Sequence, residues 1–147
     1  MADLNLRSLI ERFAASSCSW LSTVRPDGRV HSAPIWHVWT NGRAYVVTTA
    51  KAVKVPNIRN NPNVVLTHPD PHKAIIIDGE ASLVQDKTDL LRPLFKAKYD
   101  WDIAEDDDYD TIIEIKPVKL LAWGEEGAGY RQRWFGERIT GIRLFAE

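Results

Sequence analysis

The residues best suited to chemistry lie in the stretch TTAKAVK, residues 48–54. The hydroxyl groups of Thr48 and Thr49 and the ammonium groups of Lys51 and Lys54 fall where a β-branched run gives way to a short helical segment. A phosphate group binds cations, hydroxyl donors and free backbone N–H groups, and the start of a helix supplies the last of these. These residue types suit a phosphate site but do not by themselves require one, because threonine and lysine are common where a strand ends. The alternative is that both lysines are solvated and the threonines only end a strand.

The histidines form two pairs, and neither pair makes a good metal site. His31 and His37 would lie about 20 Å apart along an extended strand, which is too far to share one ion. We expect them to be hydrogen-bonded structural histidines, although either one could contact a substrate or bind haem singly. His68 and His72, in THPDPHK, could approach each other in a loop, but no third ligand accompanies them. We therefore predict no metal site.

The acidic segment DWDIAEDDDYD, residues 100–110, raises the question of calcium. It lacks the central glycine and the terminal glutamate of a twelve-residue calcium loop. We expect a solvated, mobile loop. The single cysteine, Cys18, excludes an intramolecular disulfide, suits a reducing compartment and is expected to be a small buried hydrophobe. No nucleophile-elbow, Walker or Rossmann glycine pattern is present.

The first half of the sequence predicts a helix followed by an antiparallel meander. Apolar residues at helical spacing, after Asp3 as a helix cap, predict a helix over 3–15. Strands are predicted over 18–24, 30–39 and 43–49. The turn RPDG joins the first two strands and the Asn-Gly of TNG joins the next two, since both contain residues that accept tight-turn geometry.

The second half predicts a short helix, two strands, a longer helix and a sixth strand. The predicted helices are VPNIRN (55–60) and residues 87–101, the latter interrupted or restarted near Pro93. The predicted strands cover 63–69, 73–85 and 111–124. Gly79 predicts a bulge or bend, and Pro117 a kink or an edge position. The tail from residue 128 has no clear period, and we make no prediction for it.

The strand over 30–39 is apolar on both faces. Val30, Pro34, Trp36 and Val38 share one face, and Ala33, Ile35 and Trp39 share the other. Such a strand must be covered on both sides. A barrel interior covers one side, and a second subunit is the obvious cover for the other. The pattern predicts a small, mainly β barrel of six strands with a few helices, which forms a homodimer.

Composition limits the classes of function. The chain has 147 residues, which fits a single domain over 1–147. It carries 19 basic and 20 acidic residues, a formal net charge of -1, which argues against a nucleic-acid partner. No apolar run approaches the length of a membrane span, and the amphipathic N-terminus is unlike a secretory signal. We therefore expect a cytoplasmic protein without a membrane partner.

The ordered segments LSTVRPDGRVHSAPIWHVWTNGRAYVVTT, KAVKVPNIRNNPNVVLT and KAIIIDGEASLV carry a resemblance to a known family. They resemble the FMN-binding split-barrel family, which includes pyridoxamine 5′-phosphate oxidase and many shorter flavin or deazaflavin oxidoreductases. The resemblance covers residues 18 to 85 well and the rest loosely. It implies a six-stranded antiparallel split β-barrel, a homodimer, and FMN bound between the subunits.

The resemblance also implies which residues bind the cofactor. The flavin ring would lie against the second strand, mostly on its backbone, and the third strand and the following lysine would hold the phosphate. The usual Ser-Arg before that lysine is replaced by Ala52-Val53, a departure that Lys51 could compensate. The partner would contribute a basic residue from the fifth strand, and the tail a basic–aromatic pair. The implied residues are Ser32, Ala33, Pro34, Ile35, Trp36, Thr48, Thr49, Lys51, Lys54, Lys73, Arg133 and Trp134.

The function that follows is an FMN-dependent oxidoreductase that acts on an unknown small molecule. Trp36, His37 or Trp134 would line the substrate side. The pyridoxamine phosphate reaction itself is not expected, because the C-terminal arginine and histidine motifs that grip its substrate are missing. Three alternatives stay open: a deazaflavin coenzyme on the same fold, a flavin- or haem-binding module without turnover, and a plain dimerisation domain.

Overall fold

The structure, a computed structural model, describes the backbone of residues 2–124, 130–135 and 138–144 and the side chains of residues 6–124. Its helices are α1 (Ala2–Ala15), α2 (Lys54–Asn60) and α3 (Thr88–Tyr99), with a 3₁₀ turn at Ile103–Glu105. Its strands are β1 (Ser19–Val24), β2 (Val30–Ile35), β3 (Val38–Thr40), β4 (Arg43–Thr48), β5 (Asn63–Thr67), β6 (Lys73–Val84), β7 (Thr111–Gly124), β8 (Tyr130–Phe135) and β9 (Arg138–Leu144).

The strands form one curled antiparallel sheet in the order β2-β1-β5-β6-β7-β4-β3, with β8 and β9 added beside β7. Helix α1 places Leu6, Leu9 and Phe13 into the core on the inner face of the sheet. A second core forms where Leu91 and Phe95 of helix α3 pack with residues of β3, β4 and β7. These two cores fix the helices on the sheet. The prediction of a mainly β, antiparallel open barrel with a few helices is confirmed.

The number of strands differs from the predicted six for two reasons. The predicted strand over 30–39 is two strands, because Trp36 and His37 leave the sheet between β2 and β3. The backbone groups of His37 bond to side chains of helix α3 instead: its N–H donates to the Tyr99 hydroxyl at 3.1 Å, and its carbonyl accepts from Lys98 Nζ at 2.8 Å. The tail, for which no prediction was made, supplies β8 and β9.

The predictions for the two prolines have different outcomes. Pro93 lies inside a continuous helix α3, so the predicted interruption there is wrong. The buried side chains of Leu91 and Phe95, on either side of Pro93, hold the helix on the core. Pro117 lies within β7, in the middle of the sheet, where the register slips: Asp78 pairs with Lys119 but Gly79 pairs with Pro117. The bulge predicted at Gly79 is confirmed, and Pro117 belongs to it rather than to an edge.

Candidate functional site

The described residues enclose a cleft of about 460 Å³ at the open side of the barrel. It lies between the end of β2 and the C-terminal half of β4. Five of the predicted cofactor residues line it: Pro34, Ile35, Trp36, Thr48 and Lys54. The structure therefore brings together the two segments that the sequence assigned separately to a ring and to a phosphate.

The cleft exists because β3 is short. It pairs with residues 43–45 of β4 and ends there, whereas β4 continues to Thr48. Residues 46–48 pair with β7 on one side, and on the other side no described strand covers them. Strand β2 pairs only with β1 among the described strands, so its second edge is also open. Unpaired strand edges present backbone N–H and C=O groups to whatever fills the gap.

Lys54 is the cation of the cleft. It is half-buried at the first position of α2, and its ammonium group makes no hydrogen bond or ion pair with another described residue. Burial lowers the pKa of its ammonium group. Two lysines do have carboxylate partners: Lys96 with Asp100 at 2.7 Å and Lys119 with Asp78 at 3.3 Å. A desolvated cation without a counter-ion is unfavourable by itself and favours binding of an anion.

Thr48 accompanies Lys54 in the cleft, but Thr49 and Lys51 do not line it. Thr48 is only 4% exposed. The Thr49 hydroxyl accepts a weak hydrogen bond from the Lys51 N–H at 3.5 Å, which closes a local turn. The Lys51 side chain is exposed to solvent. The phosphate assignment of these two residues stays a prediction, and their positions favour Thr48 and Lys54 as the main groups.

The remaining predicted residues lie elsewhere or outside the described side chains. Ser32 is on the outer face of β2, where its hydroxyl lies 2.7 Å from that of Ser22, and Ala33 does not line the cleft. Lys73 begins β6, away from this cleft of the single chain. Arg133 and Trp134 belong to β8, outside the residues whose side chains are described. Their roles stay predictions.

Aromatic rings form one wall of the cleft. Trp36 stacks on Tyr99, which lies behind it, with ring centroids 4.4 Å apart. Trp101 meets Trp36 edge to face at 5.9 Å and Tyr109 at 5.3 Å. Trp36 and Tyr109 remain 50% and 43% exposed in the single chain. Trp101, Asp106 and Tyr109, with Val46 and Val47, are cleft residues that the sequence interpretation missed.

The acidic segment is more structured than expected. Ile103 is buried, and the carboxylate of Asp102 accepts two hydrogen bonds from the guanidinium of Arg92, at 2.8 and 2.7 Å. Asp106 accepts a hydrogen bond from Trp101 Nε1 at 3.0 Å. The prediction of a solvated loop holds for the exposed stretch after Asp106 but is wrong for the anchored part before it. The two aromatic residues that flank the acidic run were the signal that could have placed it at a site.

His37 does not line the cleft, although the sequence interpretation named it among the residues that would line the substrate side. It is fully buried, its Nδ1 lies 2.9 Å from the Ser19 hydroxyl, and its Nε2 lies 3.0 Å from the carbonyl of Phe13. Burial, with the nearby charge of Lys98, lowers its pKa to about 4. The neutral ring therefore accepts from Ser19 and donates to Phe13. The interpretation of His37 as a hydrogen-bonded structural histidine is confirmed.

The other candidate ligands do not assemble. His68 Nδ1 accepts from the backbone N–H of Asp70 at 3.1 Å. Among the described residues, no three histidine, cysteine or acidic side chains come together as a metal-binding group. Cys18 is free and half-buried. None of the described helices has the length and apolar character needed to cross a membrane.

Comparison with known proteins gives a family match over most of the chain. The family model described as pyridoxamine 5′-phosphate oxidase matches residues 6–124. No curated protein gives a significant match.

Three solved structures show how varied the proteins of this fold are. One named F420 reductase is 26% identical, with a TM-score of 0.63, over 75% of this chain and 94% of that chain. A pyridoxamine 5′-phosphate oxidase-related, FMN-binding protein from Nostoc punctiforme is 14% identical, with a TM-score of 0.67, over 99% and 94%. A haem-binding protein from Mycobacterium smegmatis is 13% identical, with a TM-score of 0.68, over 98% and 58%. The last two likenesses concern the fold alone.

Proposed function

Since the chain belongs to the pyridoxamine 5′-phosphate oxidase family, we propose that its cleft binds FMN and that the protein is a flavin-dependent oxidoreductase acting on a small molecule. The observation that carries this proposal is the half-buried ammonium group of Lys54, which lines the cleft without a counter-ion among the described residues. A phosphate ester supplies the missing charge. Thr48, in the same cleft, adds a hydroxyl donor.

The open strand edges support placement of the flavin ring. Backbone groups of residues 34–36 and 46–48 border the cleft, and flavin ring nitrogens and oxygens need donors and acceptors of this kind. The side chain of Trp36 lies next to them in the lining of the cleft. Bound flavin would supply the redox chemistry, and the protein would position the ring and shape the space next to it.

The outer face of the sheet supports a homodimer as part of the proposal. On this face, five partly or largely exposed residues are paired from strand to strand and form one row across β2, β1, β5, β6 and β7. They are Pro34, Trp20, Thr67, Ile76 and Leu121. Trp20 alone is 43% exposed. An apolar row of this length on a sheet face is typical of a surface that another subunit covers. A second subunit would also complete the cofactor site, with Lys73 as its predicted contribution.

A deazaflavin coenzyme is the second candidate. It is favoured by the likeness to a protein named F420 reductase, and its tail also carries phosphate that Lys54 would bind. Haem is less well supported, because no histidine is among the described residues that line the cleft. Without such a residue, the cleft offers haem no imidazole ligand in the described part of the chain.

The test is to identify what the protein binds and whether it turns over. Purified protein is loaded with FMN or with a deazaflavin coenzyme, separated from free cofactor, and its absorbance and mass are measured before and after denaturation. We expect stoichiometric FMN, and reduction of the bound flavin by a nicotinamide or other small-molecule donor. Preferential retention of the deazaflavin would favour the second candidate. A protein that retains neither cofactor would refute both, and retained FMN that no donor reduces would indicate a binding module.

A further inference from the structure

The aromatic wall of the cleft has a chemical character different from the Lys54 side. Trp36, Trp101 and Tyr109 pack edge to face in a chain, and Trp36 and Tyr109 are each roughly half exposed. Tyr99 covers one side of the Trp36 ring, since the two rings are parallel within 2°. The ring faces and edges that remain open offer π-electron surface to a ligand in the cleft. Such surfaces attract cations and flat rings.

Asp106 gives this wall a negative charge. Its Oδ2 accepts from Trp101 Nε1 at 3.0 Å, and its Oδ1 makes no hydrogen bond with a described residue. The hydrogen bond holds the carboxylate against the aromatic wall in a half-buried position. Residues 101–110 contain no lysine or arginine, and among the described side chains the one basic group bonded to this segment, Arg92, is paired with Asp102. An anionic ligand would be repelled at this wall, and a cation would be attracted.

We infer that the wall formed by Trp36, Trp101, Tyr109 and Asp106 is a subsite for a planar organic cation, such as a pyridinium or another ring with a positively charged nitrogen. This inference rests on the proposed function, in which the phosphate and flavin ring take the Lys54 side and the strand edges. The ligand of the aromatic wall is then the second molecule of the reaction. The aromatic rings carry the inference, and the carboxylate determines the sign of the charge that they accept.

A matched pair of probes tests the subsite directly. The cation 1-methylnicotinamide, which is methylated on the ring nitrogen, and neutral nicotinamide have almost the same ring and size, and their affinities are measured by calorimetry on the full chain, with and without FMN. We expect the cation to bind about tenfold more tightly, because it gains both cation–π attraction and the charge of Asp106. Added salt should weaken binding of the cation and leave the neutral probe unchanged.

Two variants locate the binding. Asp106→Asn keeps an oxygen that can accept from Trp101, so the wall should stay in place, yet affinity for the cation should fall about fivefold to tenfold. Asp108→Asn removes the same charge from an exposed residue outside the cleft lining, and we expect little change. Tyr109→Ala should weaken both probes. Circular dichroism checks that each variant is folded.

Several outcomes would overturn the inference. Equal affinity for the two probes, or an unchanged affinity in Asp106→Asn, would exclude a cation subsite at this wall. If Tyr109→Ala converts a dimer to a monomer, the wall is a subunit interface and the inference is wrong. FMN binding is measured separately on the same samples. A protein that binds the cation but no flavin would refute the proposed function alone, and one that binds flavin but does not discriminate the probes would refute the subsite alone.

Discussion

Replacement of Lys54 by alanine is the sharpest test of the phosphate site. In the native cleft this ammonium group is half-buried, and burial lowers its pKa. A phosphate ester would give it one or two charge-assisted hydrogen bonds. Since a hydrogen bond to a charged group contributes about 1.5–3 kcal/mol and each 1.4 kcal/mol is about a tenfold change, Lys54→Ala should weaken FMN binding about 10- to 100-fold.

The assay is a titration that follows quenching of flavin fluorescence, with FMN and riboflavin in parallel. Riboflavin has the same ring but no phosphate, so its affinity should be the same for the native protein and for Lys54→Ala. Lys51→Ala is the matched control, because this lysine is three residues away and exposed, and does not line the cleft. We expect it to change FMN affinity by less than about threefold, the size of a screened surface charge.

The pattern of results decides between causes. If Lys54→Ala weakens FMN and riboflavin equally, Lys54 shapes the cleft and does not bind phosphate. If Lys51→Ala has the larger effect, the phosphate lies outside the cleft on the turn after β4. If neither variant changes the affinity for FMN, the reasoning from the unpaired ammonium group is refuted.

Three further predictions concern stability and assembly. The pKa of buried His37 is lowered from 6.5 to about 4, so its stabilising effect is complete above pH 6.5 and is lost as pH falls toward 4. Urea unfolding should therefore give a free energy of unfolding about 2 kcal/mol lower at pH 5 than at pH 7. This difference should shrink in His37→Gln, and its persistence there would show that His37 is not its cause. Gly124→Ala should lower the melting temperature far more than Gly28→Ala. Both glycines have positive φ, but only a Cβ at Gly124 collides with a backbone carbonyl, that of His72. Equal effects would show that the strain of the positive φ alone decides the loss. Trp20→Glu should convert a dimer to a monomer in light scattering, whereas the control Leu90→Glu, on helix α3, should not; an unchanged mass would place the interface elsewhere.

Local chemistry made part of the fold and site predictable. The RPDG turn precedes β2, and Gly28 has the positive φ, 89°, that such a turn requires. The Asn-Gly turn before β4 has positive φ at both residues, 54° at Asn41 and 73° at Gly42. Short turns of known geometry fix which strands are neighbours, and neighbours fix which loops meet. For this reason the pairings of β1 with β2 and of β3 with β4 could be predicted from the sequence alone, whereas the positions of a flavin ring and its phosphate came only from the resemblance.

The aromatic wall could not be predicted in this way, because it depends on contacts between distant parts of the chain. Trp36 and Tyr99 are 63 residues apart, yet their rings are parallel at 4.4 Å. Periodicity shows which face of an element is apolar but not which ring on another element it meets. The acidic residues after Trp101 also obscured the signal, since charge runs are usually solvated.

The break between β2 and β3 links the fold to the cleft. A continuous strand over 30–39 would extend beside β4 and pair with it, and the edge at residues 46–48 would be covered. Instead His37 turns into the core, where it stacks on Phe13 at 4.7 Å, and Lys98 and Tyr99 bond to its backbone. Strand β3 therefore begins late, and the seam between β2 and β4 stays open. The buried His37 and the half-buried Lys54 therefore act on the same seam. His37 keeps the seam open, and Lys54 gives it a positive charge.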